Sequence, residues 1–411
     1  MTDPAVSVVV VSRGRPDPLT RCLLGLSQLQ YPTFEIVVVA DPQGCDAVRA
    51  MELAAGLKIV PFDAANISAA RNLGIAHAAG DIVAFIDDDA VPEPYWLRHL
   101  VAPAQQRDVA AMGGFVRGRN GISYQWTARS LDRFGMPEPL DFEDDRPRVL
   151  HPPKGRAVKT EGTNMAFRRS VLVELGGFDP AFRYYLDETD LNMRLARAGH
   201  ATALVPLAEV HHGFAANALR TRDRVPRDLF DIGASWAVFQ RKHLVDTERK
   251  LHWKRLRGQE RARLLTHLVT GALGPEEVRR LMGRLDQGYA EGQRREIVQP
   301  RLASHPSAPF KAFPGVPRRS AVIGSRPLRL ARDLKDAAQR VRAGEIVTVI
   351  SLSPTAFYHR VFFDPAGVWV QRGGLFGRSV RKTPLFRMTT RSRRLQKESS
   401  RVASQRGLGQ D

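Results

Sequence analysis

The chain has 411 residues, 43% of them hydrophobic and 26% charged, which provides enough apolar material for a folded core and excludes wholesale disorder. The net charge of +19 is unevenly spread: residues 1–215 carry 22 Lys and Arg against 26 Asp and Glu, whereas residues 216–411 carry 40 against 17. A basic half of this kind predicts an anionic partner, such as a membrane surface, a polyanionic glycan or nucleic acid.

The two cysteines, Cys22 and Cys45, are not spaced as a metal-ligand pair or a redox pair. A disulfide framework is therefore not expected, and a reducing compartment fits. The apolar run at 5–11 is short and lacks the preceding basic region of a signal peptide. Because no apolar stretch approaches the roughly 20 residues that span a bilayer, the sequence predicts a cytoplasmic protein, with peripheral attachment to the inner face of the membrane left open.

The first quarter of the chain alternates between apolar runs and segments with helical periodicity. Continuous apolar runs, typical of strands buried on both faces, occur at 6–11, 34–40, 58–61 and 81–86. The segments between them, such as 65–79, have the spacing of helices. This order predicts an α/β fold with a mostly parallel sheet and crossover helices.

Ligands bind such sheets beyond the carboxyl ends of the strands. Polar residues follow three of the predicted strands at that edge, namely Ser12, Arg13, Asp41 and the run from Asp87 to Asp89. We therefore expect these side chains to contribute to one binding site.

Residues 117–157 are rich in Arg, Pro and Asp and predict a long loop or lid, because loops of this length are uncommon in compact domains unless they are functional or disordered. Three further elements complete a predicted first domain of residues 1–215: a strand at 158–167, a helix at 187–198 and a strand at 201–206. The last strand leads to His211 and His212.

Beyond the first domain the sequence predicts four parts, namely a helical extension at 216–293, a linker at 294–325, a small α+β module at 326–371 and a basic, disordered tail at 372–411. The extension includes a helical hairpin that turns at Gly274-Pro275. The module has three candidate strands, at 345–352, 357–363 and 367–371. We expect its aromatic residues, including Trp369 and Tyr358, to form a core rather than a binding face.

The run Asp87-Asp88-Asp89 follows directly on a predicted buried strand. Side chains alternate along a strand, so Asp87 and Asp89 point the same way and form a hard oxygen site suited to Mn²⁺ or Mg²⁺. Such an ion can stabilise the charge on a departing diphosphate. A three-Asp run is more often a solvated acidic turn, but its position after a buried strand favours a metal site.

A second acidic cluster, Asp187-Glu188-Thr189-Asp190, begins a predicted helix. Carboxylates in a first helical turn are favoured by the helix dipole, so this pattern alone indicates a solvated helix start. The functional alternative is that one carboxylate acts as a general base on an acceptor hydroxyl.

Taken together in order, these segments resemble an inverting family 2 glycosyltransferase with the glycosyltransferase-A fold over about residues 5–215. Each motif is weak alone, whereas the ordered set is specific. The matching segments are residues 6–11, Ser68-Ala69-Ala70-Arg71-Asn72-Leu73-Gly74, Phe85-Ile86-Asp87-Asp88-Asp89, the stretch from Gly162 to Arg169, Gly176-Gly177-Phe178-Asp179, and Asp187 to Leu191 with Arg194-Leu195.

The resemblance implies roles for individual residues. Asp89 of the DXD-type run would bind the metal, and Asp87 or Asp88 would reach the ribose of the donor or the same metal. The nucleotide would be contacted by Asp41 and Arg71, in a pocket lined by Ser12 and Arg13, and the sugar and acceptor would be bordered by Gly162, Thr163 and Asn164.

The family usually places its catalytic aspartate second in a Glu-Asp pair. This chain reverses the order as Asp187-Glu188, so the matching position is Glu188. The resemblance then implies a single displacement in which Glu188 deprotonates the acceptor hydroxyl and the anomeric configuration inverts. A histidine after the last strand, with His212 the candidate and His211 the alternative, would be a third metal ligand, and UDP-sugar is the default donor of such enzymes.

Two other functions compete with this hypothesis. A nucleotidyltransferase also combines a parallel sheet with paired carboxylates, but the segment from Ser12 to Pro16 has too little glycine for its phosphate loop. A non-catalytic scaffold that binds a glycan or a membrane surface is the other alternative, and the reversed Asp187-Glu188 keeps it open. For the basic half, a membrane carrying a lipid-linked or glycan acceptor is favoured over nucleic acid, because no nucleic-acid-binding motif is present.

Overall fold

The computed structural model describes residues 3–142, 144–213, 219–221, 223–298, 300–381 and 383–409, so the predicted boundary at residue 215 lies outside the described residues. The strands of the first domain are β1 (Val6–Ser12), β2 (Phe34–Ala40), β3 (Leu57–Pro61), β4 (Ile82–Asp87), β5 (Ala90–Pro92), β6 (Val109–Arg117), β7 (Tyr124–Trp126), β8 (Arg129–Leu131), β9 (Pro137–Pro139), β10 (Arg148–Leu150), β11 (Ala157–Lys159), β12 (Asn164–Arg168) and β13 (Ala201–His212). Its α-helices are α1 (Pro16–Leu26), α2 (Pro42–Arg49), α3 (Ile67–His77), α4 (Trp96–Val101), α5 (Arg169–Glu174) and α6 (Asp187–Arg197).

A large sheet runs through this domain in the order β10-β13-β6-β12-β4-β1-β2-β3, with β5 paired to β13 and β7 to β6. The long pairs, β1 with β2 and β4, β2 with β3, and β13 with β6, are parallel. β12 is antiparallel to both of its neighbours, and the short pairs of β5, β7 and β10 are also antiparallel. The predicted α/β fold with a mostly parallel sheet and crossover helices is confirmed.

Strand β1 explains how helix α3 comes to lie close to the strand ends. Its valines are buried on both faces of the sheet, with Val8 and Val10 in one core and Val9 in the other. Helix α3 packs against Val9 at Gly74, where a Cβ atom would lie 2.4 Å from Val9 Cγ1. Only glycine therefore allows this approach, which places Arg71, one turn earlier in the helix, at the edge of the sheet.

The region predicted as a long loop or lid contains short strands instead. Strand β7 extends the main sheet, and β8 forms a separate three-stranded sheet with β9 and β11. The single strand predicted at 158–167 is interrupted by residues 160–163, which turn the chain between β11 and β12. This turn matters because Gly162 and Thr163 lie on it.

The C-terminal half begins with three helices, α7 (Phe230–His243), α8 (Asp246–Val269) and α9 (Pro275–Gly292). The predicted helical hairpin between α8 and α9 is confirmed. The predicted linker lies against the first domain, where Lys311 N donates to Glu35 Oε2 at 2.8 Å and Phe313 packs against Phe34 at 5.3 Å between ring centroids.

The C-terminal module is larger than predicted. It consists of β14 (Ser320–Ser325), α10 (Leu330–Arg342), β15 (Ile346–Ser353), β16 (Arg360–Phe363) and β17 (Trp369–Gly374), with strand order β14-β15-β17-β16. Strand β14 falls within the predicted linker, so the module starts at about residue 320. Trp369 is buried in its core as predicted, whereas the same prediction is wrong for Tyr358, which is 59% exposed.

The prediction of a disordered tail is also wrong. The tail contains α11 (Arg391–Arg401) and α12 (Ala403–Arg406), and Arg406 at its end is 1% exposed. It is ordered because its charges are paired inside the protein: the Arg406 guanidinium makes two hydrogen bonds of 2.8 Å to the Glu93 carboxylate, and Glu398 accepts from Gln371 and Ser379. Among the described residues, no helix is both long and apolar enough to cross a membrane.

Candidate active site

The last residues of β4 and β13 bring three side chains with metal-ligand chemistry together. Asp87 ends β4, Asp89 lies two residues further on, and His212 ends β13. The antiparallel pairing of His212 with Ala90 holds the two chain segments side by side. One ligand atom from each of Asp87, Asp89 and His212 lies within 4.8 Å of the other two. Asp87 and Asp89 therefore lie in one cluster as predicted, although Asp88 and Asp89 form a turn after β4 and do not continue the strand.

His212 is oriented by two partners. Its Nε2 lies 3.1 Å from Asp89 Oδ1, and its Nδ1 lies 2.9 Å from Gln125 Oε1. His211 points away from this cluster and lies 2.8 Å from Glu93 Oε1 instead. Geometry therefore selects His212, and not His211, as the histidine beside the aspartates.

Asp88 is buried beside Asp89 and shares the guanidinium of Arg15 with it. Its carboxylate is fully buried, accepts a hydrogen bond of 2.7 Å from Ser12 Oγ and forms an ion pair with Arg15. Burial raises the pKa of Asp88 to about 7, although Arg15 and the Ser12 hydroxyl favour the ionised form. The hydrogen bond between Ser12 and Asp88 holds the end of β1 against the end of β4, and the donor-binding role of both residues stays a prediction.

Arg71 joins the metal-ligand cluster to the acidic helix α6. It is 3% exposed, forms a hydrogen-bonded ion pair with Asp187, and places Nη2 3.6 Å from Asp87 Oδ1. The same nitrogen donates to Gly162 O at 3.2 Å. Thus Arg71 does not lie on an open nucleotide surface; it is a buried bridge between Asp87 and Asp187.

The start of α6 is held in an unusual backbone conformation. Tyr185 and Leu186 have φ values of 72° and 66°, in the left-handed region that non-glycine residues rarely adopt. Such strain persists only where the surroundings enforce it, and it is frequent at functional sites. These two residues immediately precede Asp187 and Glu188.

Glu188 is paired with Lys159, whose Nζ lies 2.9 Å from Glu188 Oε1. Burial opposes ionisation of this carboxyl, but the Lys159 ammonium and its hydrogen bond lower the pKa of Glu188 to about 2. Glu188 is therefore ionised at neutral pH. Asp190 is fully buried and accepts from Arg194 and His243, so it anchors helix α7 rather than facing the cluster.

Asp41 lies beyond the end of β2, at the same edge of the sheet. It is 8% exposed, and its Oδ1 is buried without a hydrogen-bond partner among the described residues. An unpartnered buried carboxylate oxygen is energetically unfavourable unless a ligand satisfies it. Arg13, by contrast, is about half exposed and forms an ion pair of 3.0 Å with Asp63.

The turn between β11 and β12 contributes Thr163, whose hydroxyl donates to Asp87 Oδ2. Gly162 leaves space for Arg71, because a Cβ atom there would lie 2.8 Å from Arg71 Nη2. Asn164 is fully buried and binds Trp96 Nε1 and two backbone carbonyls. The prediction that Asn164 borders the sugar and acceptor is wrong, because its amide has the structural role of joining β12, β6 and β13.

Comparison with known proteins now adds a decisive observation. A family model described as "Glycosyltransferase like family 2" matches residues 4–228, which is more than half of the chain. The chain belongs to this glycosyltransferase family. The match ends before helix α7, so it covers the domain that carries the whole cluster and leaves the helical extension and the C-terminal module outside.

The similarity to curated proteins covers only part of this chain and only part of each relative. The glucosyl-dolichyl phosphate glucuronosyltransferase of Haloferax volcanii is 31% identical over 186 residues, 42% of this chain and 56% of that protein. The O-antigen biosynthesis protein RfbC of Myxococcus xanthus is 26% identical over 252 residues, 58% of this chain and 19% of that protein. The pre-mycofactocin glycosyltransferase of Mycobacterium tuberculosis is 27% identical over 246 residues, 58% of this chain and 48% of that protein. The chain thus spans between a fifth and just over half of these relatives.

Solved structures similar to this glycosyltransferase are more distant in sequence. GalNAc-T7 with UDP, GalNAc and Mn²⁺ is 16% identical with a TM-score of 0.44, covering 58% of this chain and 48% of that one. The mannosyltransferase PcManGT from Pyrobaculum calidifontis, in complex with GDP-Man and Mn²⁺, is 17% identical with a TM-score of 0.40, covering 71% of this chain and 87% of that one.

Three residues of the candidate site were not predicted from the sequence: Arg15, Gln125 and Lys159, which accompany Asp88, His212 and Glu188 respectively. Only Arg15 had a signal, because it belongs to the same polar segment as Ser12 and Arg13. Lys159 precedes the matched segment at Gly162 and had none. Partners of this kind are set by the fold and not by spacing along the chain.

Proposed function

We propose that this protein transfers a sugar from a nucleotide-diphosphate donor, with UDP-sugar as the default, to an acceptor hydroxyl with inversion at the anomeric carbon. One observation carries the proposal: Arg71 contacts both Asp87 of the metal-ligand cluster and Asp187 of the acidic helix. The cluster that would stabilise the leaving diphosphate and the first turn of α6, where Glu188 follows Asp187, therefore lie on two sides of a single guanidinium.

A divalent cation, Mn²⁺ or Mg²⁺, would be held by Asp87, Asp89 and His212. The residues fit such an ion, since two carboxylates and one imidazole converge within 4.8 Å and Gln125 orients the imidazole through its other nitrogen. An imidazole ligand favours Mn²⁺ over Mg²⁺. When bound, the ion would supply positive charge opposite the departing diphosphate.

Glu188 is the proposed general base. Lys159 keeps its carboxylate ionised, so it can accept the proton of the acceptor hydroxyl as that oxygen attacks the anomeric carbon. The bond between the anomeric carbon and the diphosphate oxygen breaks, and the nucleoside diphosphate leaves with the bonding electron pair. Attack from the opposite side inverts the configuration. Arg71 would act by positioning Asp187 and the start of α6.

The nucleotide is proposed to bind at the ends of β1 and β2. The unpartnered Asp41 Oδ1 fits an N–H donor of a nucleobase, and Arg13 lies on the exposed side of the same edge. Thr163 and Gly162, next to Asp87 and Arg71, would border the transferred sugar.

The test is nucleotide release from UDP-, GDP- and dTDP-sugars in the presence of Mn²⁺ or EDTA. We expect metal-dependent release from one donor, with release reduced at least about a hundredfold in Asp89→Asn and in Glu188→Gln. The matched controls are Asp46→Asn and Glu276→Gln, at exposed carboxylates outside the site, and they should behave as wild type. The anomeric configuration of the product is read by NMR, and a retained configuration contradicts the single displacement.

If no donor releases its nucleotide, donor binding is measured by calorimetry, because the release assay contains no acceptor. Donor binding without nucleotide release is the result expected of an enzyme that needs its acceptor for turnover. No binding of any donor, with or without Mn²⁺, would support the non-catalytic scaffold instead.

We also propose action in the cytoplasm or at the inner face of an anionic membrane, where a glycan or lipid-linked acceptor would be met. Deleting residues 372–411 cannot test this, because it removes the end of β17 and the buried Arg406. Charge-neutral substitutions at exposed arginines of α10 are the better perturbation. They should weaken binding to anionic vesicles in a salt-sensitive manner, and equal binding of the wild type to neutral vesicles would contradict the membrane role.

A further inference from the structure

A cavity of about 730 Å³ lies beside the proposed metal cluster, between the glycosyltransferase domain and the C-terminal module. His212 forms part of its wall, so it adjoins the cluster directly. The opposite wall is formed by β16 and β17 of the C-terminal module, which the family match does not cover. Part of the cavity wall therefore lies outside the segment that matches the family.

The charge of this cavity is strongly positive. Its lining includes the arginines Arg21, Arg119, Arg360 and Arg372, with Asp223 as the one carboxylate among the described lining residues. Asp223 pairs with Arg119 at 3.4 Å. Among the residues that the structure describes, no acidic side chain forms an ion pair with the other three arginines.

Two of these arginines face each other at an energetic cost. Arg360 on β16 and Arg372 on β17 are direct partners in the antiparallel ladder, and both are exposed. Like charges directly opposite each other destabilise a strand pair. No carboxylate in the described part of the chain pairs with either guanidinium, so an anion between the two would offset this repulsion.

Other polar groups at the cavity are also unsatisfied. The Nε of Arg21 and the Nδ1 of His211 are both buried without a hydrogen-bond partner among the residues that the structure describes, and both residues line the cavity. His211 has only 10% of its side chain exposed. Buried polar atoms of this kind are normally paired in native proteins, so these two point to a ligand that is not part of the chain.

The position of the cavity separates it from the proposed nucleotide site. Ser12 and Asp41 follow β1 and β2, which lie on one side of β4 in the sheet, whereas β13 lies on the other side. A donor that extends from Asp41 to the metal cluster would end before the cavity, which continues beyond His212. The cavity also has apolar wall residues, Val91 and Phe362, the latter on the same face of β16 as Arg360.

We propose that this cavity binds the phosphate of an acceptor that carries a phosphate ester on an apolar chain. The inference rests on the proposed glycosyl transfer and adds the chemical class of its acceptor. Arg360 and Arg372 would hold the phosphate oxygens by charge-assisted hydrogen bonds, and Arg21 would approach from the glycosyltransferase domain. The C-terminal module would then serve as the acceptor-binding half of the enzyme.

The test uses the full chain in EDTA, so that phosphate probes cannot bind through a metal ion. Binding of octyl phosphate, inorganic phosphate and octanol is measured by calorimetry for the wild type and for Arg360→Gln/Arg372→Gln. The matched control is Arg326→Gln/Arg329→Gln, which removes the same charge from exposed residues of the same module that lie outside α10 and away from the cavity. Donor binding is measured separately with Mn²⁺.

We expect octyl phosphate to bind the wild type, and to bind the cavity variant at least about tenfold more weakly, while the control and the donor affinity are unchanged. Loss of the opposed charges should leave the unfolding temperature unchanged or raise it, which excludes misfolding as the cause.

Equal octyl phosphate affinity in wild type and cavity variant would overturn the proposal, and so would the absence of binding to the wild type. If the wild type binds inorganic phosphate but does not bind octyl phosphate, the cavity is a site for a free anion and not for a phosphate ester. A parallel loss of donor affinity in the cavity variant would assign it to the donor diphosphate, which also overturns the acceptor role. Because the phosphate titration contains neither metal nor donor, its result stands even if no donor is bound and the proposed function fails.

Discussion

The ion pair between Arg406 and Glu93 gives the sharpest test of how the C-terminal end supports the active site. Arg406 is 1% exposed, makes both hydrogen bonds of its guanidinium fork to Glu93, donates to Thr348 Oγ1 at 3.1 Å, and lies 4.2 Å from the centroid of the Trp369 ring. Glu93 also contacts His211, the neighbour of His212. The pair therefore connects the end of the chain to the strand that carries the proposed metal ligand.

Arg406→Met keeps the apolar stem and removes the charge. Breaking a buried pair by removing one partner typically costs about 3–5 kcal/mol, because the remaining charge is left uncompensated. The second half of a double-mutant cycle, Arg406→Met/Glu93→Gln, removes both charges and should restore at least about 2 kcal/mol of the loss. Equilibrium urea unfolding followed by tryptophan fluorescence measures the difference, and amide hydrogen exchange in α11 and α12 shows whether the tail opens locally.

The free energy of unfolding should depend on pH in opposite directions in the wild type and in Arg406→Met. Burial alone would raise the pKa of Glu93, but Arg406 holds it well below its usual range. The pair thus stabilises the wild type above the pKa of about 4.3 that glutamate has in an unfolded chain, and this stabilisation is lost as the pH falls through the folded value. In Arg406→Met the pKa of Glu93 rises above the unfolded value, so the variant recovers as the pH falls from 7 to 5. A double variant no more stable than Arg406→Met, or a gap that widens on acidification, would refute this account.

Three further predictions concern the glycosyltransferase site itself. In Lys159→Gln the pKa of Glu188 should rise from about 2 toward its usual range, so the acid limb of the profile of kcat/KM against pH should move to higher pH; an unmoved limb would exclude Glu188 as the base. His212→Ala should weaken Mn²⁺ binding at least about tenfold by calorimetry, whereas the exposed His151→Ala should not change it. Asp41→Asn should raise the donor Kd about tenfold with unchanged Mn²⁺ affinity, and a loss of both would indicate general disruption.

The strands of the parallel half of the sheet could be predicted closely from sequence, because each is buried on both faces. The apolar runs at 6–11, 34–40 and 81–86 correspond to β1, β2 and β4 to within one residue at each end. Asp87 and Asp89 were also expected to lie together, but by alternation along a strand, whereas β4 ends at Asp87 and a turn at Asp88 and Asp89 brings them into one cluster.

The pairing of charges around that run could not be predicted in the same way. Arg13 and Arg15 are two residues apart, and only Arg13 was predicted to belong to the site, but Gly14 has a φ of 67° and turns the chain between them. Arg15 then pairs with Asp88 and Asp89, whereas Arg13 faces solvent near Asp63. Which of the two arginines reaches the aspartates depends on the backbone angle at Gly14, which composition and periodicity do not encode.

The tail was predicted to be disordered for a related reason. Its sequence lacks an apolar stripe, which is the signal by which a docked helix is usually recognised. Helix α11 docks instead through charge, with Arg394 and Glu398 both buried and paired with each other. Contacts such as Arg406 with Glu93, which are 313 residues apart, become visible only when the fold is known.

The excess of positive charge in the C-terminal half also has a different meaning once the fold is known. A net surplus read from sequence treats every arginine as available to a partner, yet Arg295, Arg394 and Arg406 are buried in ion pairs inside the protein. Charge used in this way stabilises the docking of the extension and the tail and cannot attract a membrane. The opposed Arg360 and Arg372 differ from these, because no carboxylate among the described residues pairs with them and they line the same cavity as His212, where we propose that an anionic partner binds.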